Sequence, residues 1–308
     1  MLIDDVNRYI SLRRSLGYKL RDQAKNLISY ANFADANAER FVSISTVIDW
    51  TGGARTPRHR KRLYGEVIRF ARFVAAEDPR HEVPRPGYYS APSSRPVPYI
   101  YSDDEIALIL DAASKLSRSW QTPNRPETYV MLFGLLAATG LRISEALKLT
   151  FRDISPNGTL HVRRTKFHKD RFVPLHTTVA DALQRYIDLR AKTPVPGPYI
   201  FAESTGRQLR YHRARRAFAG IIEEHNIAIG RAIRPRMHDF RHTFATRTLE
   251  QTELVRGAID RRAVALSTYL GHVEIANTYW YLQATPDLLR RVSESGEKLM
   301  AMEAVDAP

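Results

Sequence analysis

Residues whose types could do chemistry together occur in four separated segments of the second half of the chain. The segments are T-G-L-R-I-S-E at 139–145, T-K at 165–166, H-D-F-R-H at 238–242, and L-G-H at 270–272 followed by T-Y-W-Y-L at 278–282. His238 and Arg241 lie three positions apart, so on a helix they share a face and can meet one substrate group. Guanidinium forks match two phosphate oxygens at once, and a tyrosine hydroxyl is a potential nucleophile. These residue types could therefore act together on one substrate group.

Taken singly, these residues also have ordinary structural interpretations. Arg142 alone would fit a surface ion pair, and Lys166 alone would fit a solvated hairpin charge, with Lys169 as a nearby competitor for any special role. His242 fits packing or hydrogen bonding within its helix better than contact with substrate. Only the joint pattern favours a function for each of them.

That joint pattern resembles the tyrosine recombinase (phage integrase) family. The family has an arginine in T-G-L-R-x-S-E, a hairpin lysine, H-x-x-R-H, L-G-H, and a tyrosine nine residues after that last histidine. All five occur here in this order between about Tyr101 and Leu282, and the tyrosine is Tyr281. The sequence from 271 to 286 is similar to recombinases carried by transposons and integrating elements. The resemblance implies site-specific DNA recombination through a 3′-phosphotyrosyl intermediate, with no cofactor.

The resemblance also implies a role for each matching residue. Two arginines would neutralise the charge that develops on the phosphate, and two histidines would add hydrogen bonds, with His238 able to take the tyrosine proton. Lys166 would protonate the departing 5′ oxygen, and Glu145 would orient its neighbours. No metal is implied, because two guanidinium groups replace the metal pair of many nucleases. The implied catalytic set is Arg142, Lys166, His238, Arg241, His272 and Tyr281.

Tyr279 is the alternative nucleophile, seven residues after His272. Residues two apart on a helix point about 200° away from each other, so only one of the two tyrosines can face the phosphate. The family spacing favours Tyr281.

The elements that would position these residues can be predicted from local signals. Ser102 with Glu105 makes a capping box that starts a helix, and a second helix over 127–138 ends at Thr139-Gly140. Short strands are predicted at 160–163 and 172–175, joined near 166–169. From about Tyr211 onwards the chain is predicted to be helical, with interruptions. The predicted class is mainly α with a small antiparallel β-sheet in the catalytic domain.

A proline-rich stretch divides the chain. Six of the 17 prolines lie between positions 79 and 98, a density that neither helix nor sheet accepts, which predicts an extended linker. Before it, residues 1–78 are predicted to form a core-binding domain of four or five helices, with an apolar stripe over 63–74. Residues 99–286 would be the catalytic domain. Residues 287–308 would be a tail that docks on a neighbouring subunit or packs on its own domain.

The charge indicates a polyanionic partner. The 308-residue chain carries a net charge of +14, divided as +7 on each side of Pro98, which suits a two-domain clamp on double-stranded DNA. Cations at the start of the helix predicted from the 63–74 stripe oppose its dipole unless an anion binds there; the alternative is a solvated charge run. The candidate DNA-binding residues are Arg55, Arg58, Arg60, Lys61 and Arg62. A second set fits phosphate contact and a solvated helix face equally: Arg210, Arg213, Arg215 and Arg216.

Several classes of protein are excluded by composition. Without cysteine there is no disulfide, thiol nucleophile, Cys-ligated zinc or iron–sulfur cluster. The acidic start lacks an export signal, and the longest apolar stretch, at 130–138, falls far short of the roughly 20 residues of a membrane span. A cytoplasmic, nucleoid-associated bacterial protein with no membrane partner is expected.

Three functions remain open at this point. The first is a recombinase assembled as a tetramer on two DNA sites, or with related recombinases. The second is a type IB topoisomerase that relaxes DNA without sequence preference. The third is a DNA-binding protein that does not cut.

Overall fold

The computed structural model describes residues 1–91, 97–163, 170–193, 195–231, 233–251, 258–272 and 274–283. The chain forms two compact units, one up to residue 95 and one from residue 96. This division falls within the predicted linker. Lys166, Lys169 and the predicted tail lie outside the described residues.

The described part of the first unit is a bundle of four helices. They are α1 (Leu2–Ser15), α2 (Arg21–Ala36), α3 (Ile44–Gly52) and α4 (Pro57–Ala75). The predicted stripe of α4 supplies Val67 and Phe70 to a core that also contains Val6, Leu27 and Tyr30, all of them fully or almost fully buried. Thr56 caps α4, because its side chain accepts a hydrogen bond from the His59 N–H.

Residues 79–91 of the predicted linker pack onto this bundle. They form neither helix nor strand. The Tyr64 hydroxyl donates to the Arg85 carbonyl at 3.1 Å, and the rings of Tyr88 and Tyr89 lie 5.7 and 5.1 Å from the Tyr64 ring. The Glu82 carboxylate accepts from the Ile44 N–H at 2.6 Å. The prolines prevent regular structure here, but aromatic contacts still attach the segment to the first unit.

The second unit is helical around a two-stranded sheet. Its strands, β1 (Thr159–Val162) and β2 (Arg171–Pro174), are antiparallel with Leu160 opposite Val173, and each begins one residue before the predicted position. The helices are α5 (Asp103–Ser114), α6 (Arg125–Thr139), α7 (Ile143–Ala146), α8 (Thr177–Ala191), α9 (Tyr211–Glu224), α10 (Asp239–Glu250), α11 (Ala258–Leu270) and α12 (Ala276–Gln283). The predicted class, mainly α with a small antiparallel sheet, is confirmed.

The predicted capping box at the start of α5 and the predicted glycine stop at the end of α6 are both present. The Glu105 N–H donates to the Ser102 hydroxyl at 3.1 Å, and the Glu105 carboxylate accepts from the Ser102 N–H at 2.9 Å. Helix α6 ends at Gly140, whose φ of +59° lies in the left-handed region. A Cβ at this position would lie 2.7 Å from Phe244 Cδ1, so only glycine fits.

Two apolar clusters hold the helices of the second unit. The larger surrounds α6, where Phe133 packs against Phe218 of α9 and Phe240 of α10 with centroids 5.6 and 6.4 Å apart. The smaller joins α10, α11 and α12 and includes Leu249, Leu266, Leu270 and Tyr281. Helix α10 takes part in both, so its polar residues are fixed from two sides. Among the described residues no helix is long and apolar enough to cross a membrane.

Candidate active site

Arg241 is the most deeply buried arginine of the predicted set, with 2% of its surface exposed. Its Nη1 donates to the Gly140 carbonyl and its Nη2 to the Leu270 carbonyl, both at 2.8 Å. It therefore ties the end of α6 to the end of α11. Burial and the cation of Arg142 lower the pKa of Arg241 to about 10, so it remains protonated at neutral pH.

Arg142 approaches the same turn from the start of α7. Its Nη2 lies 3.4 Å from the Gly271 carbonyl, and its Nη1 donates to Glu145 Oε1 at 2.7 Å. The side chain is 24% exposed. Two guanidinium groups thus converge on the 270–271 turn, one buried and one open to solvent.

Glu145 is a buried carboxylate held between two arginines. Besides Arg142 it binds Arg171 through two hydrogen bonds, at 2.8 and 3.2 Å. Burial alone would raise the pKa of Glu145, but the hydrogen bonds and charge of Arg171, with the charge of Arg142, lower it to about 2. Glu145 is therefore ionised and fixes the orientation of Arg142.

The sequence interpretation missed Arg171. Its Nε donates to the Tyr269 carbonyl at 2.8 Å, and a Cβ on Gly271, at φ +68°, would lie 3.2 Å from its Nη1. The turn that leads to His272 is therefore built around this guanidinium. A signal was present: Arg171 and Val173 lie two residues apart on one strand, so they share a face, and a charge on a buried face needs a partner.

His238 and His242 lie one turn apart at the start of α10, with ring centroids 4.8 Å apart. His238 is exposed and His242 is largely covered. Shielding from water and the cation of Arg241 lower the pKa of His238. Burial and His238 lower the pKa of His242 to about 3. Both are neutral at neutral pH, and the accessible one, His238, can accept a proton.

His272 and Tyr281 face each other across the α11–α12 turn. Their rings are 6.0 Å apart and inclined by only 23°. The fully buried Thr278 hydroxyl lies 2.7 Å from His272 Nδ1 and fixes the ring; this residue, too, was missed from the sequence. Tyr281 is 3% exposed and also contacts the His242 ring, at 5.4 Å.

The structure brings together most of the predicted set. The residues that meet around the 270–272 turn are Arg142, Glu145, His238, Arg241, His272 and Tyr281. Lys166 lies outside the described residues; Arg171, the first residue of β2 and five positions later in the sequence, binds Glu145. For Tyr279, which lies in α12, the structure describes the backbone only. Within the described ranges no group of three His, Asp or Glu side chains could hold a metal.

The predicted DNA-binding cluster lies at the start of α4. Most of its side chains are exposed. Arg60 instead donates to the Gly52 carbonyl at 3.1 Å and lies over the Tyr89 ring, and Arg62 is 3.9 Å from Glu66. The exposed members are Arg55, Arg58, Lys61 and Arg62.

Comparison with known proteins gives consistent matches. Residues 101–287 match the phage integrase family. An integrase/recombinase of Sinorhizobium fredii, y4rB, is 35% identical over 301 residues, covering 95% of this chain and 96% of the relative. Tyrosine recombinase XerC of Pelobacter propionicus is 34% identical over 191 residues, 60% of this chain and 57% of the relative. The Tn1549 transposon integrase in complex with circular intermediate DNA has a similar fold, with a TM-score of 0.65 at 17% identity over 94% of this chain and 98% of that one.

Proposed function

Because the chain belongs to the phage integrase family and is a tyrosine-type site-specific recombinase, we propose that Tyr281 is the nucleophile that cuts DNA. Its Oη attacks phosphorus, the Oη–P bond forms and the P–O5′ bond breaks. The products are a 3′-phosphotyrosyl ester and a free 5′ hydroxyl. Since the ester retains the bond energy, rejoining is the reverse reaction and needs no ATP.

The two arginines supply the charge for this step. During attack the phosphate becomes a pentacoordinate dianion, which needs positive charge fixed in advance. Arg241 is bonded to two backbone carbonyls and stays protonated, while Arg142 is aimed by Glu145. Their convergence on the 270–271 turn, beside His272, is the observation that carries the proposal. His272 donates a further hydrogen bond to the phosphate.

Proton transfer is assigned to His238 and Lys166. His238 is exposed with a lowered pKa, so it is neutral and can accept the Tyr281 proton at neutral pH. Lys166 gives its proton to the departing O5′. This assignment rests on the matching sequence position, and Lys169 remains its competitor.

Tyr281 must become accessible for this reaction. With 3% of its surface exposed, it packs in the small cluster between α10 and α11. We therefore expect DNA binding to shift α12, so that the phenol leaves the cluster and meets the phosphate held by Arg142 and Arg241.

A nicked suicide duplex that spans the junction of the element encoding the protein tests the nucleophile. A nick beside the cut site lets a short fragment diffuse away, so the covalent intermediate accumulates and is seen as a protein–DNA band after denaturing electrophoresis. Tyr281→Phe should abolish this band. The matched control, Tyr279→Phe, should retain it; the opposite pattern would transfer the role to Tyr279.

The same experiment separates the three functions. Trapping at one sequence is expected of a recombinase. Trapping at many sequences would indicate relaxation of a type IB kind, and binding without trapping would indicate a protein that does not cut.

We further propose double-stranded DNA as the partner and a tetramer on two DNA sites as the active assembly, alone or with related recombinases. The net charge of +14 supports the first, as does the Tn1549 integrase, whose structure is a complex with DNA. Residues 1–78 would be a DNA-binding domain, 79–98 the linker, 99–286 the catalytic domain and 287–308 the docking tail. A mobile element as carrier, and a cytoplasmic location at the nucleoid, follow from the same proposal.

A further inference from the structure

Trp120 is the most exposed large apolar side chain described, with 81% of its surface open to solvent. It lies at the tip of the loop between α5 and α6, in a turn closed by a hydrogen bond from the Thr122 N–H to the Ser119 carbonyl at 3.0 Å. Aromatic residues such as tryptophan are enriched where a protein surface contacts another molecule, relative to the rest of the surface.

The loop presents this ring in a fixed position. The Ser204 N–H donates to the Gln121 carbonyl at 2.9 Å, and the Asn124 side chain donates to the Thr193 hydroxyl at 2.8 Å. Thr122 and Asn124 are both buried. The backbone on one side of Trp120 is thus anchored in the second unit while its side chain remains outside.

The ring stands at the edge of a basic cleft of about 600 Å³. The residues that give the cleft its character are Arg118, Trp120, Arg125, His212, Arg213 and Arg216. Glu127 binds Arg118 at 2.8 Å, and Glu203 binds Arg213 at 2.9 Å. Arg125 instead donates to the Ser117 carbonyl at 2.7 Å, and neither it nor Arg216 is paired with a carboxylate among the described residues. The basic cleft therefore has an excess of positive charge directed at solvent.

Helix α9 separates the basic cleft from a groove that reaches the candidate active site. His212, Arg213 and Arg216 line the cleft, whereas Tyr211 and Arg215 line the other side. That groove, of about 790 Å³, also contains Arg231, Arg234, Arg236 and His238. A helix with its side chains is about 10–12 Å wide, much less than the roughly 34 Å of one turn of DNA. A duplex held at His238 is therefore long enough to extend across α9 to the basic cleft.

We propose that the basic cleft is a second DNA-contacting surface, on which Arg125 and Arg216 bind phosphates and Trp120 packs against the sugar–phosphate edge of the same duplex. This inference rests on the proposed function, since it extends the DNA path from His238 across α9. An apolar protein surface fits less well, because it would desolvate two guanidinium groups without pairing them.

Salt dependence of binding tests the arginines. The measurement is fluorescence anisotropy with a labelled 40-base-pair duplex of random sequence, in a Tyr281→Phe background so that no cleavage is needed. Each phosphate contact contributes about 0.9 to the slope of log K against log salt. Arg216→Gln should reduce that slope by about 0.9, while Arg185→Gln, an exposed arginine of α8 outside the cleft, should leave it unchanged.

A different signature is expected for the tryptophan, because it carries no charge. Trp120→Ala should weaken binding roughly tenfold at every salt concentration without changing the slope, because apolar contact area is lost and no charge is removed, and Trp120→Phe should restore most of the loss. DNA should also quench the intrinsic fluorescence, and most of that quenching should vanish in Trp120→Phe, where only Trp50 and Trp280 remain.

Two results would overturn the proposal. One is unchanged affinity and slope in both Trp120→Ala and Arg216→Gln. The other is loss of self-association in Trp120→Ala, measured by sedimentation, with DNA binding intact, which would assign the surface to a protein partner. Because binding is measured without cleavage, failure of the Tyr281 assignment does not affect either result.

Discussion

A single guanidinium, that of Arg171, joins two parts of the candidate site. It binds the Glu145 carboxylate that aims Arg142, and it binds the Tyr269 carbonyl before the turn to His272. It is a positioning residue, since it acts on the substrate only through its neighbours.

We expect Arg171→Met to slow single-turnover cleavage at saturating DNA by at least about tenfold, with the affinity for DNA nearly unchanged. The free energy of unfolding should fall by about 3 kcal/mol, because one partner of a buried ion pair is removed. Arg171→Lys should recover part of the rate. Arg163→Met is the control and should cleave normally, because this half-exposed residue directly follows β1 and pairs with Asp153 rather than with Glu145. Equal loss of DNA binding in Arg171→Met would instead indicate general misfolding.

His242 should make the protein sensitive to mild acid. Its pKa is about 3 in the folded chain and about 6.5 in an unfolded one. The unfolded chain therefore binds the extra proton first, and stability is lost as the pH falls below about 6.5. Between pH 7 and pH 5 the loss from this residue amounts to roughly 2 kcal/mol. His242→Phe keeps an aromatic ring beside Tyr281, so denaturant unfolding should show a flatter pH dependence than in the wild type or in the exposed-site control His212→Phe. If the free energy of unfolding changed with pH in the same way in the wild type and in both variants, burial of His242 would not be the cause of the acid sensitivity.

Site residues could be predicted from the sequence where the motif that contains them is short and contiguous in the chain. His238, Arg241, His272 and Tyr281 were predicted from their resemblance to a family pattern, whose motifs are short and contiguous in the sequence. Arg171 and Thr278 were missed because their partners are distant or become close only on folding: Arg171 binds a carboxylate 26 positions away. The burial of Tyr281 was equally unreadable, since it depends on the packing of α12 against two other helices.

At the level of elements, Gly140 connects the end of α6 to the two arginines of the candidate site. Its carbonyl accepts from Arg241, and Arg142 follows two residues later. Gly140→Ala should destabilise the second unit by about 2 kcal/mol or more, because it adds a left-handed alanine and a clash with Phe244. Calorimetry and the cleavage rate should both register the change.

Gly134 in the middle of α6 is the matched control for that substitution. An added Cβ there meets nothing closer than 3.8 Å and the backbone is helical. Gly134→Ala should therefore be neutral or stabilise by up to about 1 kcal/mol. If both variants behaved alike, the left-handed turn would not be what positions Arg142.

Element boundaries show the limits of sequence patterns in the same way. The capping box at Ser102 and the glycine stop at 140 are local interactions, and both were predicted at their positions. The strands were predicted one residue too late, because the pairing of Val162 with Arg171 depends on a cross-strand partner. The packing of Tyr88 and Tyr89 onto α4 was not expected from the proline-rich composition. A high proline content excludes helix and sheet but does not predict which side chains will pack on a neighbouring element.

On the scale of the whole molecule, positive charge is placed where it opposes local stability. Arg58 and Lys61 lie in the first turns of α4, where the helix dipole disfavours cations. If these cations served folding, they would stabilise α4. If they serve to bind an anion, they destabilise α4 as long as no anion is bound. The two explanations therefore predict opposite changes in stability.

Replacing Arg55, Arg58 and Lys61 together by glutamine should separate the two explanations. We expect the slope of log K against log salt for a duplex to fall by up to about 2.7, or about 0.9 for each phosphate that the variant no longer binds. The melting temperature should stay the same or rise slightly, because the unfavourable dipole interaction is removed. The charge-matched control replaces three exposed arginines elsewhere in the first unit, Arg14, Arg72 and Arg80. If both triple variants lowered the slope equally, the first unit would bind DNA through its overall charge; a fall in stability with an unchanged slope would make the cluster structural.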